Sequence, residues 1–194
     1  MINTGTYQKI FDRTLKKHPN MKPILIIIAP KDFRDEELFE TKDELEKYGH
    51  KTVIASTIKG TCFGTKGGFA LSEIKISDVD TKNYDGVIFI GGFGSQLFYN
   101  DETVHQIAKK MNAEQKLVGA ICIASVILAK AGLLKNKNAT VFSSEINTIK
   151  DLGAIYSTLS VVKDGNIVTG NGPTAARKFG ETIAQELNSY VLEK

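Results

Sequence analysis

The chain has 194 residues, 42% hydrophobic and 24% charged, with a net charge of +3 at pH 7. This is the composition of a soluble globular domain with one sizeable core, and the small charge, spread over interspersed acids and bases, excludes nucleic acid as an expected partner. Cys62 and Cys122 are the two cysteines; they make neither a disulfide framework nor a metal-ligand spacing, which suits a reducing cytoplasm.

Residues 1–22 read as an N-terminal extension. Tyr7, Ile10, Phe11 and Leu15 line one face of a short helix, with Lys9, Arg13, Lys16 and Lys17 around it. Docking on the domain or on a partner subunit is favoured over a membrane surface. No apolar run here resembles a secretory signal. Residues 23–194 read as one domain in which strand and helix signals alternate. The aliphatic run 24–29 has the length and composition of a central parallel strand buried on both faces. A helix follows at 35–48, with Leu38, Leu45 and Tyr48 on one face, acids in its first turn and Gly49 ending it. Residues 52–55 form the next strand. Cys62 falls in a glycine-flanked loop after it. Another strand spans 87–90 and closes on Gly91-Gly92. The helix 101–111 carries Val104, Ile107, Ala108 and Met111 on one stripe, with Asp101 as its cap.

The stretch from Gly119 to Ser125 holds the strongest chemical signal. Cys122 sits where an apolar strand (117–121) meets an apolar helix (124–131), with small Ala120 and Ala124 two residues to either side. A sharp strand-to-helix turn needs such residues, and the pattern is that of a nucleophile elbow. A thiol at a helix N-terminus is expected to have a lowered pKa; the competing reading is a buried core cysteine. Residues 117–134 are long and apolar enough to approach a membrane span. Gly119, Gly132, Lys130 and the turn at Cys122 divide them into a strand and a helix instead. A short strand at 140–142 follows, then a hairpin of 160–163 and 166–169 about Asp164-Gly165, and a last helix at 174–192. Strands separated by helices imply right-handed crossovers and a doubly wound, mostly parallel sheet sandwiched by helices, with ligands beyond the carboxyl ends of the strands.

A thiol nucleophile calls for a base, an orienting group and an oxyanion site. His18, His50 and His105 all precede the elbow, read as surface residues, and none suits the base of a Cys-His triad. Glu36 and Glu37 fall at the same end of the sheet as Cys122. An inward-facing glutamate beside the sulfur has a raised pKa and serves as proton donor or base. Asp35 and Glu36 read as complements to the helix N-terminus. The N–H groups of Gly91 and Gly92 are candidates for holding an oxyanion, against the alternative of a simple strand-end turn.

These pieces together resemble the ThiJ/PfpI superfamily: residues 29–38 after the first strand, Gly49-His50, Gly91-Gly92, Ala120-Ile121-Cys122, Ala131-Gly132-Leu133-Leu134, Asp164-Gly165-Asn166 and Asn171-Gly172-Pro173. The resemblance implies a flavodoxin-like fold, a homodimer, and a cofactor-independent and metal-free site. It implies Cys122 as the nucleophilic, oxidisable cysteine, Glu37 as its hydrogen-bonding glutamate and Gly91-Gly92 as the oxyanion-side turn. Ile123 stands where protease-like and glyoxalase-like members often carry histidine, and Ala124-Ser125 replaces the usual Gly-Pro, which counts against proteolysis. The implied activity is glyoxalase- or deglycase-like, on small reactive carbonyls or modified protein side chains. A redox sensor whose cysteine becomes a sulfinate is the alternative, and a peptidase or amidase with a base from a partner subunit a weaker one.

Overall fold

The computed structural model describes residues 21–192, so the expected N-terminal helix lies outside the described residues. The chain runs through β1 (Ile24–Ile27), β2 (Lys31–Phe33), α1 (Asp35–Lys47), β3 (Thr52–Ser56), β4 (Gly60–Gly64), β5 (Phe69–Ser72), β6 (Ile74–Lys75) and β7 (Gly86–Phe89). Then come α2 (Glu102–Ala113), β8 (Leu117–Ile121), α3 (Ser125–Lys130), β9 (Asn138–Ala139), α4 (Ile146–Asp151), β10 (Ile155–Tyr156), β11 (Val161–Asp164), β12 (Ile167–Gly170) and α5 (Ala176–Leu192). A seven-stranded sheet in the order β11-β12-β8-β7-β1-β3-β6 forms the centre. All its pairings are parallel except β11 with β12. This is a flavodoxin-like α/β architecture.

Strand alternation divides the core into two layers. On β1, Leu25 and Ile27 face a layer with Val104, Ala108 and Met111 of α2 and Val126, Ile127 and Leu128 of α3. Ile24 and Ile26 face the opposite layer, with Leu38 and Leu45 of α1 and Phe179, Ile183 and Leu187 of α5. Both faces of each central strand are therefore apolar, which is why the sequence shows continuous runs there. Asp101 caps α2 as expected, its Oδ1 accepting from the Val104 N–H at 3.1 Å. Helices α1 and α5 approach closely: a Cβ on Gly180 would lie 2.9 Å from the Thr41 Cα. Arg177 Nη1 also reaches Glu44 Oε1 at 2.8 Å. Helix α1, which carries Glu37, is thereby fixed along its length.

Several expectations need correction. Residues 140–142 are not a strand; β9 at Asn138–Ala139 pairs with β10 instead. The helices expected at 124–131 and 174–192 each begin later, after 3-10 turns at Cys122–Ala124 and Pro173–Ala175. A second sheet of three strands, β2-β4-β5, was not anticipated. Its strands are short, and Gly60, Gly64, Gly67 and Gly68 mask the alternation that marks a strand. Cys62, expected in a loop, is fully buried within β4. His50 and His105 are also buried rather than surface residues. The His50 ring Nε2 lies 3.3 Å from the Ala184 carbonyl, tucked under α5.

Asp35 ties this small sheet to α1, a larger role than complementing a helix terminus. Its carboxylate accepts the N–H groups of Lys66 at 2.8 Å and Gly68 at 2.7 Å. Burial pushes the Asp35 pKa up, but these backbone donors outweigh it and hold the group below its usual 3.8. A depressed folded-state pKa gives stability that is present above the unfolded pKa and lost as pH falls through the folded one. Asp35→Ala is expected to cost about 1–3 kcal/mol at neutral pH in denaturant unfolding, with the difference shrinking as pH falls below about 4. A cost that stays constant into strong acid would refute the tie.

Candidate active site

β8 ends on Ile121 in extended conformation, and Cys122 then turns into the left-handed region at φ 63°. For a residue with a Cβ this costs on the order of 1–2 kcal/mol, so its surroundings must hold it there. Two outside donors do so. The Phe142 N–H donates to the Cys122 carbonyl at 3.4 Å, and the Tyr99 hydroxyl donates to the Ile123 carbonyl at 3.2 Å. The elbow expected from Ala120 and Ala124 is present, and both alanines are fully buried.

Glu37 enters from the first turn of α1. It is fully buried, and its Oε2 accepts the Gly91 N–H at 3.0 Å. Its Oε1 has no hydrogen-bond partner among the described residues. The Cys122 thiol stands beside this carboxyl, close enough for each to perturb the other's ionisation. Gly91 has to be glycine: a Cβ there would fall 2.6 Å from both the Cys122 Cβ and Glu37 Oε2. The Gly91 carbonyl accepts the Arg34 N–H at 3.0 Å, which anchors the start of α1 to the end of β7. The two glycines thus have different tasks. Gly91 gives its N–H to Glu37, while the N–H groups of Gly92 and Ile123 are near enough to the Cys122 sulfur to lower its pKa.

The electrostatics reverse one expectation. Burial, followed by the nearby Glu37 charge, pushes the Cys122 thiol up to about 12, although the Ile123 and Gly92 N–H groups pull the other way. The helix end does not compensate, since the site is nearly dry and a second acid adjoins the sulfur. Burial likewise raises the Glu37 carboxyl to about 7, against the lowering influence of the thiol, the Gly91 N–H and Arg34. Two acids this close titrate as a pair. Over the interval between these values the pair holds one proton, on sulfur or on the carboxyl. Tyr99 is raised as well, by burial and then by the charges of Glu145 and Cys122, so its hydroxyl remains a donor.

The structure therefore brings Cys122, Glu37, Gly91, Gly92 and Ile123 together, and places no described histidine among the groups that perturb the sulfur. Tyr99 and Phe142 were missed by sequence reasoning. Their links to residues 122 and 123 join distant parts of the chain and leave no local pattern. Among the described residues no cluster of His, Cys, Asp or Glu is arranged for a metal ion.

A glutamate with a raised pKa opposes folding once it ionises. The folded protein holds this proton more tightly than the unfolded chain does, so stability falls as pH rises from about 4.5 to about 7. Glu37→Gln lacks this titration. It is expected to exceed the parent in stability by on the order of 2 kcal/mol at mildly alkaline pH, with the excess vanishing in acid. It should also alkylate faster at Cys122, because the charge that raises the thiol is gone. Equal pH–stability curves for the two proteins would overturn this account.

The DJ-1/PfpI family model matches residues 22–186. An uncharacterized protein of Methanocaldococcus jannaschii is 42% identical over 177 residues, which is 89% of this chain and 86% of that one. The deglycase PfpI of Pyrococcus furiosus is 29% identical over 149 residues, 77% of this chain and 90% of that protein. Among solved structures, a ThiJ/PfpI domain protein from Brachyspira murdochii is 36% identical with a TM-score of 0.85, over 87% of this chain and 98% of that one. With the family model spanning most of the sequence and the same fold in that relative, this chain belongs to the DJ-1/PfpI family.

Proposed function

We propose that this protein is a cofactor-independent enzyme that acts on small reactive carbonyls such as methylglyoxal, or on the adducts they form with protein side chains. The observation that carries this reading is the pairing at the elbow of the buried Cys122 with the fully buried Glu37, whose carboxyl the Gly91 N–H holds in place. Several relatives named as deglycases support it. Sγ adds to the aldehyde carbon, and Glu37 takes the thiol proton as the carbon–sulfur bond forms. The former carbonyl oxygen gains that proton, giving a neutral hemithioacetal. A carboxyl with a pKa near 7 suits both halves of the transfer, since it is a competent base and a competent acid at neutral pH. The Gly92 and Ile123 N–H groups steady the charge that develops on sulfur as its proton leaves.

Loss of the general acid–base group is expected to reduce turnover roughly a hundred-fold or more. Methylglyoxal consumption should therefore collapse in Cys122→Ser and fall by that factor in Glu37→Gln, even though Glu37→Gln alkylates faster. Consumption that survives in Cys122→Ser would remove the enzyme reading. The unpartnered Oε1 of Glu37, whose carboxyl adjoins the thiol, favours a second reading, a stress sensor. When protonated, this oxygen can donate to a sulfinate formed by peroxide on Cys122. A mass gain of two oxygens after mild peroxide, without any consumption of dicarbonyl, would select that reading.

We also propose a cytoplasmic homodimer. Among the described residues no helix is long and apolar enough to cross a membrane, and the free thiols suit a reducing compartment. The outer face of the β2-β4-β5 sheet exposes Phe63 at 55%, Phe69 at 72% and Leu71 at 63%. Phe63 and Phe69 pair directly across β4 and β5. Beside them lies a groove of about 460 Å³ lined by Ile58, Thr61, Phe63 and Leu97. A contiguous apolar face of this kind is characteristic of an interface. Light scattering should give a dimer for the parent and a monomer for Phe69→Glu combined with Leu71→Glu; a monomeric parent sinks the dimer.

A further inference from the structure

The backbone N–H groups that pull the Cys122 thiol pKa down come from two separate elements. The Ile123 N–H belongs to the elbow itself, and the Gly92 N–H belongs to the turn after β7. That turn is internally rigid: the Ser95 N–H and hydroxyl both donate to the Gly92 carbonyl, at 3.0 and 2.8 Å. It runs through a 3-10 turn at Phe93–Phe98 to Tyr99, whose own N–H bonds the Gln96 carbonyl at 3.1 Å. The segment from Gly92 to Tyr99 therefore meets the elbow at both of its ends, through the Gly92 N–H at the sulfur and the Tyr99 hydroxyl on the Ile123 carbonyl at 3.2 Å.

We propose that Tyr99 is a positioning residue for the nucleophile, its hydroxyl clasping the elbow so that the Gly92 and Ile123 N–H groups converge on one sulfur. The strained left-handed Cys122 needs such a hold, since a residue with φ 63° relaxes toward the ordinary region unless its neighbours fix it. The Phe142 N–H secures the Cys122 carbonyl and Tyr99 secures the next one. The carbonyls on both sides of the Cys122–Ile123 junction are thus taken by outside donors, and the Ile123 N–H between them has little freedom to turn away. A half-buried tyrosine with a raised pKa remains a donor throughout the working range. The ring of Tyr99 also packs against the apolar layer around α2 and α3, so the hydroxyl and the ring have separable roles.

Tyr99→Phe separates them, because it removes the hydroxyl and keeps the ring. The readout is the rate of Cys122 alkylation by iodoacetamide against pH, located by peptide mass, together with the melting temperature. The expected result is a rate roughly five- to tenfold lower at mildly alkaline pH, the size expected for one lost hydrogen bond. The rate–pH curve should shift upward in pH, with melting unchanged within about two degrees. Superimposed alkylation curves overturn the proposal. So does a melting loss of about ten degrees, which would assign the hydroxyl to the fold rather than to the elbow. This inference rests on the reading of Cys122 as the nucleophile, and the two fail differently. A shifted alkylation curve in Tyr99→Phe with no methylglyoxal consumption by the parent removes the enzyme and keeps the clasp. Consumption by the parent with superimposed curves removes the clasp and keeps the enzyme. Where both hold, kcat should fall in Tyr99→Phe while KM stays close to the parent value.

Discussion

One proton shared by two buried acids is the constraint on which the rest of this site depends. Neither Cys122 nor Glu37 reaches bulk water readily, so neither charge is screened, and ionising both together is strongly unfavourable. The surrounding backbone makes the singly charged state tolerable. Gly91 gives its N–H to the carboxyl, while Gly92 and Ile123 turn theirs to the sulfur. Each donor sits on a different peptide, and the turn after β7 and the elbow that supply them must meet the first turn of α1 within a few ångströms. The absence of a Cβ on Gly91 is the price of that meeting, since any side chain there would strike both acids.

Seen this way, the architecture around the site is a set of devices for holding those segments in register. Parallel β1, β7 and β8 end together at their carboxyl edge, which brings the starts of α1, the Gly91 turn and the elbow to one place. The Arg34 N–H on the Gly91 carbonyl joins α1 to the end of β7. The close crossing of α1 with α5 at Gly180 then keeps the base of Glu37 from moving. Asp35, two residues from Glu37, fastens the small sheet to the same helix turn. Three consecutive acids at the start of α1 thus face three environments. Asp35 is held by backbone donors, Glu36 pairs with Arg34, and Glu37 is buried against the thiol.

How far this was legible in the sequence follows from the range of each interaction. The central strands and the helices α1, α2 and α5 were readable because burial on both faces, amphipathic stripes and caps are local patterns. The small sheet was not, because its pairing depends on Asp35 gathering the loop at 64–68, a contact more than thirty residues away in sequence. Cys122 was marked by the small residues around it and Glu37 by its place after the first strand, yet the direction of the thiol pKa was misjudged. A helix N-terminus is a sequence feature, whereas desolvation and a neighbouring carboxylate emerge only on folding. His50 was misread as a surface residue for the same reason: it is covered by α5, which lies at the far end of the chain.

The raised thiol pKa bears on which chemistry the site suits. Sensor cysteines of the reactive kind are exposed and carry a lowered pKa, so that a standing thiolate meets any passing oxidant. Cys122 is 7% exposed and is pushed up to about 12, so the free protein holds its sulfur largely as the thiol. That protects it between encounters. On the proposed reading, a carboxyl near 7 beside it accepts the proton as a carbon–sulfur bond forms, so the nucleophile arises at the moment of attack. Such a pair spends little time with its sulfur ionised. That arrangement matches the general-base catalysis proposed above more closely than it matches a sensor that relies on a standing thiolate.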